Sequence, residues 1–283
     1  MSNLRRIGTY RSKWGEGPLF HRDVLLYVDI EGHRVISYDP SDRSETIVEV
    51  GERVGTVVPR EQGGLVIAGD TGFRFLDTDG NLTDIADPEP DIAANRFNDG
   101  KCDPSGRFWA GTISTTKETG TANLYRLDTD LSVSRQVTGV TNSNGICWTD
   151  DRQTMYYIDT PRKSVLAFDY DDATGDVTNA RMAIDTQNFE GAPDGMAMDV
   201  QGNLWIAFCR GSAVRCFSPE TGSELATIEV PTSCPTAPAF GGEHYDQLFI
   251  TTGHLSDDPC ENAGHVFRAD PGVAGQRPNT FAG

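Results

Sequence analysis

The chain predicts an all-β fold, a six-bladed β-propeller with four-stranded antiparallel blades and a central metal site. Six segments share one pattern, a polar turn followed by a short aromatic or β-branched run, at Leu25, Gly64, Arg107, Thr154, Asn203 and Gln247. Their spacing of roughly 40 to 50 residues is the period of propeller repeats. Helical periodicity is almost absent, and 30 glycines with 15 prolines provide many turns.

Most of these runs, such as LLYVD at Leu25, are followed by a second strand ending in a turn: HRVISYDP at His33, GFRFLDTDG at Gly72, NLYRLDTD at Asn123, SVLAFDYD at Ser164 and AVRCFSPETG at Ala213. Such a pair reads as a β-hairpin. ETIVEV at Glu45, VSRQVTGV at Val133 and LATIEV at Leu225 add further runs, up to four strands per unit. Leu4 to Tyr10 is the candidate strand that closes the ring on the last blade. A β-sandwich would repeat with a rhythm of roughly 8 to 12 residues, shorter than the period seen. No linker or low-complexity stretch interrupts residues 1–283, which read as one domain. Trp109 and Trp205 fall at blade-core positions. Asp77-Thr78-Asp79-Gly80 and Asp169-Tyr170-Asp171-Asp172 lack the EF-hand pattern and read as hairpin turns.

Hydrophobic residues make up 37% of the chain, aromatics 9% and charged residues 23%, the composition of a folded domain. Twenty-four basic residues against 42 acidic ones give a net charge of -18, which repels phosphate backbones and anionic membranes. Nucleic acid and membrane partners are therefore not expected. Met1-Ser2-Asn3-Leu4-Arg5-Arg6 runs into Gly8, Thr9 and Tyr10 without an apolar h-region, which predicts a cytoplasmic protein. The six cysteines have no C-x-x-C spacing and read as buried free thiols. The five histidines form no ligand pair, and no nucleophile elbow, P-loop or dinucleotide fingerprint is present.

Four short turns place an oxygen-bearing side chain beside glycine or proline: Gly15-Glu16-Gly17-Pro18, Arg96-Phe97-Asn98-Asp99-Gly100, Ser143-Asn144-Gly145 and Pro193-Asp194-Gly195. Singly, such dipeptides are ordinary turn residues. They recur in phase, each ahead of an aromatic run, so the ring is expected to bring Glu16, Asn98, Asn144 and Asp194 together at one mouth of the channel. Blade two, with Val54-Gly55-Thr56, and blade six, with Thr236-Ala237-Pro238-Ala239-Phe240, lack an equivalent. Glu16 and Asp194 match the charge of a divalent cation and Asn144 adds a neutral oxygen, a hard-donor set. Positions left for water and substrate make hydrolysis the natural reaction class. Asp194 is the candidate catalytic residue, as general base or as the group that orients water. Arg96 and Asn98 lie two apart on one strand face and are the candidate substrate-binding pair, a salt bridge being the plainer role for Arg96. The polar stretch Ser114 to Thr121 reads as a lid or an ordinary loop over the pocket.

The segments GEGPLF, RFNDGKCDPSGRFWAGT, SNGICWTDDRQTMYYIDT and PDGMAMDVQGNLWIAF, with FGG at Phe240 and the closing Phe281-Ala282-Gly283, resemble the regucalcin, gluconolactonase and luciferin-regenerating enzyme family. The resemblance covers nearly the whole chain. It implies one divalent ion, calcium, zinc, manganese or iron, held by Glu16, Asn144 and Asp194. It also implies hydrolysis of a lactone, such as gluconolactone or a pentonolactone, by a monomer or small oligomer. Asp194 is then also the base, and Arg96 and Asn98 bind the sugar. A phosphotriesterase-like hydrolase with the same site, or a non-catalytic cation-binding or scaffold propeller, are the alternatives. Two departures mark this chain. The family's sugar-binding glutamate after the AGT motif is replaced by Ser114-Thr115-Thr116, leaving Glu118 nearest, and Pro235-Thr236-Ala237-Pro238-Ala239 reads as an inserted loop that reshapes the mouth.

Overall fold

A computed structural model describes residues 3–283; Met1 and Ser2 of the N-terminal stretch lie outside the described residues. The first strand, β1 (Arg5–Ile7), precedes blade one, which holds β2 (Gly15–His21), β3 (Val24–Asp29), β4 (Arg34–Tyr38) and β5 (Glu45–Glu49). Blade two is β6 (Val54–Pro59), β7 (Leu65–Gly69), β8 (Gly72–Leu76) and β9 (Leu82–Ala86). Blade three is β10 (Asn95–Cys102), β11 (Phe108–Ser114), β12 (Ala122–Leu127) and β13 (Val133–Val140). Blade four is β14 (Ser143–Trp148), β15 (Thr154–Asp159), β16 (Ser164–Asp171) and β17 (Asp176–Asp185). Blade five is β18 (Ala192–Met198), β19 (Leu204–Cys209), β20 (Ala213–Phe217) and β21 (Glu224–Glu229). Blade six joins β22 (Pro235–Gly241), β23 (Gln247–Thr252) and β24 (Val266–Ala269) to β1, in antiparallel register Arg5↔Arg268, Arg6↔Phe267, Ile7↔Val266. The closing strand thus lies within the stretch that the sequence marks, and no α-helix occurs among the described residues.

The first strands of the six blades, β2, β6, β10, β14, β18 and β22, pack against one another in a ring and wall the central channel. Apolar side chains from their outward faces and from the second and third strands fill the space between blades. Trp109 and Trp205 are buried there, as expected. Each indole N–H finds an acceptor in the aspartate six residues upstream: Trp109 donates to Asp103 at 2.9 Å and Trp205 to Asp199 at 3.0 Å. The other oxygen of each aspartate accepts two backbone N–H groups and so shapes the turn between the first and second strands. Asp77 caps the β8–β9 turn in the same way, accepting from Asp79 and Asn81, and Asp171 accepts from Ala173 in the β16–β17 turn; both Asp-rich pieces are hairpin turns.

Two expectations need correction. Pro235–Ala239 is no inserted loop: it is most of β22, the innermost strand of blade six, and every residue of that strand is buried. Proline disfavours a central strand because it lacks an N–H, but β22 lies at the inner edge of its sheet and pairs on one side only. The cysteines are not all free. Cys209, at the end of β19, is disulfide-bonded to Cys234, just ahead of β22, while Cys102, Cys147, Cys216 and Cys260 remain thiols.

After blade six the chain crosses the lower face as a strap. Gly275 bonds to Tyr245, Gln276 to Met198 and Ala282 to Gly106, and Phe281 pairs with Arg60 and is fully buried between blades two and three.

Candidate metal and substrate site

Glu16, Asn98, Asn144 and Asp194 all lie on innermost strands, at one mouth of the channel. The sequence reads their motifs as turns ahead of the strands, and the structure places them inside β2, β10, β14 and β18. In each the pairing slips, between Glu16 and Leu19, Phe97 and Gly100, Ser143 and Ile146, and Pro193 and Met196. A β-bulge uses the same Asn-Gly and Asp-Gly signature as a turn and re-aims side chains at a site. β6 and β22 carry slips too, between Val54 and Thr56 and between Pro235 and Ala237, without a carboxylate or carboxamide there. The phase argument holds, with bulges in place of turns. Close packing supports it: a Cβ on Gly145 would lie 2.7 Å from the Met196 side chain and 2.9 Å from the Asp194 carbonyl oxygen, so only glycine lets β14 and β18 approach this closely.

The donors are buried: Glu16 is 4% exposed, Asn98 7%, Asn144 2% and Asp194 8%. The Asn144 amide nitrogen donates to Thr160 Oγ1 at 2.8 Å, and Thr160 passes its own proton to the Pro193 carbonyl at 2.9 Å. That chain fixes the amide so that Asn144 Oδ1 faces Asn98 Nδ2, 3.2 Å away. Asn98 also donates to the Ser143 carbonyl at 2.7 Å and to Asn142 Oδ1 at 3.3 Å, while its own oxygen accepts from Arg96 at 2.9 Å. The Asn98 oxygen is therefore occupied by Arg96, which separates the Arg96–Asn98 pair from Glu16, Asn144 and Asp194. Arg96 makes no ion pair here, against the plainer expectation for it.

Asp99 was not singled out by sequence. In alternating strand geometry it faces away from Asn98, but the bulge brings it to the channel, where the other blades have Gly17, Gly145, Gly195 and Ala237. Its Oδ1 accepts the Gly100 N–H at 2.7 Å and its Oδ2 is buried without a partner. Burial, then the charges of Asp194 and Asp99, pushes the Glu16 carboxyl well above the usual range, with Arg96 opposing. Burial and Asp99 do the same to Asp194. Burial raises Asp99, opposed by Lys101 and the Gly100 N–H. Glu16, Asp194 and Asp99 are thus three desolvated carboxyls whose charges disfavour one another, an arrangement that a cation relieves. The chemistry of Glu16, Asn144 and Asp194 fits a divalent ion, since all three offer hard oxygens, and Thr160 fixes the Asn144 amide, whose oxygen accepts from Asn98. Among the described residues no group of three or more His, Cys, Asp or Glu side chains is arranged to hold a metal ion. Below the bulges the channel narrows to a void of about 10 Å³ beside Asp99 and Lys101, room for about one water.

Ser114 ends β11, and Thr115–Gly120 form an exposed loop after it, anchored by the Thr115 hydroxyl to the Ala94 carbonyl at 2.7 Å and by the Gly120 N–H to Thr141. Glu118 is exposed on this loop.

Comparison with known proteins decides the family. The model of the SMP-30/Gluconolactonase/LRE-like region matches residues 14–254. The chain belongs to the SMP-30/gluconolactonase/LRE-like family. Regucalcin of Danio rerio is 38% identical over 284 residues, covering 96% of each chain. A candidate sugar lactone lactonase of Bacillus subtilis (strain 168), YvrE, is 36% identical over 281 residues and also covers 96% of each. Among solved structures, luciferin-regenerating enzyme superposes with a TM-score of 0.94 at 29% identity over the full length of both chains. A calcium-binding regucalcin from Agrobacterium tumefaciens gives 0.93 at 27% identity, covering 99% of this chain and 97% of that one. Among the described residues no helix is long and apolar enough to cross a membrane.

Proposed function

We propose that this family member is a divalent-metal-dependent lactonase that opens a sugar lactone, an aldonolactone such as gluconolactone or a pentonolactone, to its acid. The observation that carries the reading is the meeting of Glu16, Asn144 and Asp194 with the Arg96–Asn98 pair on innermost strands of a propeller whose family is named for gluconolactonase. Glu16, Asn144 and Asp194 would hold the ion. When bound, it supplies Lewis acidity toward a carbonyl oxygen and lowers the pKa of water. Arg96 donates to the ring oxygen and hydroxyls, and Asn98, whose amide hydrogens go to Ser143, Asn142 and Asn144, holds the guanidinium through its oxygen. Asp194 has the second task of receiving the proton of the attacking water. Water adds at the acyl carbon, the ring C–O bond breaks, and the leaving oxygen takes a proton, which balances the hydrolysis.

The calcium-binding description of the Agrobacterium regucalcin favours one second reading, cation binding without turnover. Acid release from a panel of aldonolactones, measured on chelator-stripped protein before and after each of calcium, zinc, manganese and iron, separates the two. Metal-restored turnover is expected on at least one lactone. Asp194→Asn is expected to lower kcat by about 10²–10⁴-fold with the fold retained by circular dichroism. Metal binding with no turnover on lactones would support the binding-only reading, and turnover on phosphotriesters alone would reassign the substrate.

A further inference from the structure

A second cavity lies away from Glu16, Asn144 and Asp194. It opens at the other mouth of the channel, where the innermost strands end, and measures about 570 Å³, a usual size for a small-molecule site. Its walls are largely apolar, with Leu19, Phe20, Met198 and Phe240 among them, and the strap from Ala274 to Asn279 forms one side. The narrow void beside Asp99 separates it from the upper site.

The charge of this lining is opposite to that of the molecule. A chain with 42 acidic and 24 basic residues presents Lys101, Arg152 and Arg277 here against the single carboxylate of Asp150. Arg152 pairs with Asp172 at 3.0 Å, and the Arg277 guanidinium stacks over Tyr245 at 5.0 Å. Lys101 differs. It stands on β10 inside the channel, and its ammonium donates to the Met196 carbonyl, leaving two of three protons for another acceptor. Trp148 also lines the cavity, and its indole N–H is buried without a partner among the described residues. Trp109 and Trp205 have an aspartate for theirs, and Trp148 has none.

We propose that the lower cavity is a second ligand site, for an amphipathic monocarboxylate whose carboxylate pairs with Lys101 and whose apolar body lies along Leu19, Phe20, Met198 and Phe240. One deep cation suits a single negative charge, and the apolar walls disfavour a polyol such as a sugar acid.

Calorimetric titration of metal-loaded protein with hexanoate, octanoate and decanoate tests the proposal. One site is expected, tightening roughly fourfold with each methylene. Lys101→Met is expected to weaken binding at least tenfold and Lys101→Arg to retain it, while Asp194→Asn leaves it unchanged. In 15N-labelled wild-type protein, decanoate is expected to shift the indole resonance that is missing from Trp148→Phe, a readout that stands even if Lys101→Met fails to fold. No binding, undiminished binding to Lys101→Met, an unmoved Trp148 resonance, or loss of binding in Asp194→Asn, which would place the carboxylate at the upper site, would each overturn it.

Discussion

Glu16 and Asp194 hold their protons more tightly in the folded protein than in the unfolded chain, where their ordinary values are 4.5 and 3.8. The sign of the linkage follows. A carboxyl raised by folding contributes stability that is full below its unfolded value and is lost as pH rises through its folded value. The metal-free protein is therefore expected to melt at falling temperature as pH increases above about 4.5, and a bound divalent ion should remove most of that decline. Melting curves across pH, with chelator and with metal, check this; a metal-free melting temperature that rises with pH in that window would contradict it. At this scale the shared placement of Glu16, Asn144 and Asp194 on innermost strands was legible, because they recur in phase. Asp99 was hidden by the alternation rule, which its bulge breaks. Thr160 follows β15, where nothing in its spacing links it to Asn144, and Asn142, just ahead of the Ser143-Asn144-Gly145 motif, meets Asn98 only across the blade boundary.

The β-bulge is the element on which the site depends. It and the tight turn draw on the same residues, so Asn-Gly in a sequence says where the chain departs from regular pairing but not whether it reverses. β22 was illegible for a related reason: Pro235 and Pro238 look like loop residues, and only its place at the inner edge makes them acceptable in a strand. The Cys209–Cys234 disulfide left no local trace, since its partners are 25 residues apart. It joins the end of β19 to the entry of β22, and Phe208, next to Cys209, pairs with Pro193, next to Asp194. Replacing both cysteines by serine is expected to lower the unfolding free energy by about 2–4 kcal/mol. Denaturant melts measure that loss, and metal titration of the same variant shows whether the staple also positions Asp194. An unchanged midpoint would mean that blades five and six hold each other without it.

For the molecule as a whole, the long repeat period and alternating strands made the six-bladed ring readable, because each blade is a local unit. Closure is the non-local step. β1 contributes one hydrogen-bonded edge to blade six, with two exposed arginines and little burial of its own. Deleting residues 3–9 is expected to leave β24 unpaired and to cause a cooperative loss of melting temperature and self-association at high concentration, read by calorimetry and light scattering. A monomer with the wild-type melting temperature would show that closure rests on packing of the innermost strands alone.

The β1–β24 pairing also sets a timetable for the newborn chain. Its partners stand about 260 residues apart, so at ribosomal speeds of roughly 5–20 residues per second the first strand waits about 13–50 seconds before its neighbour exists. A waiting strand is a template for stray pairing, and Arg5 and Arg6 place two positive charges on it during that delay. The strand that closes the ring is thus made long before the strand it pairs with.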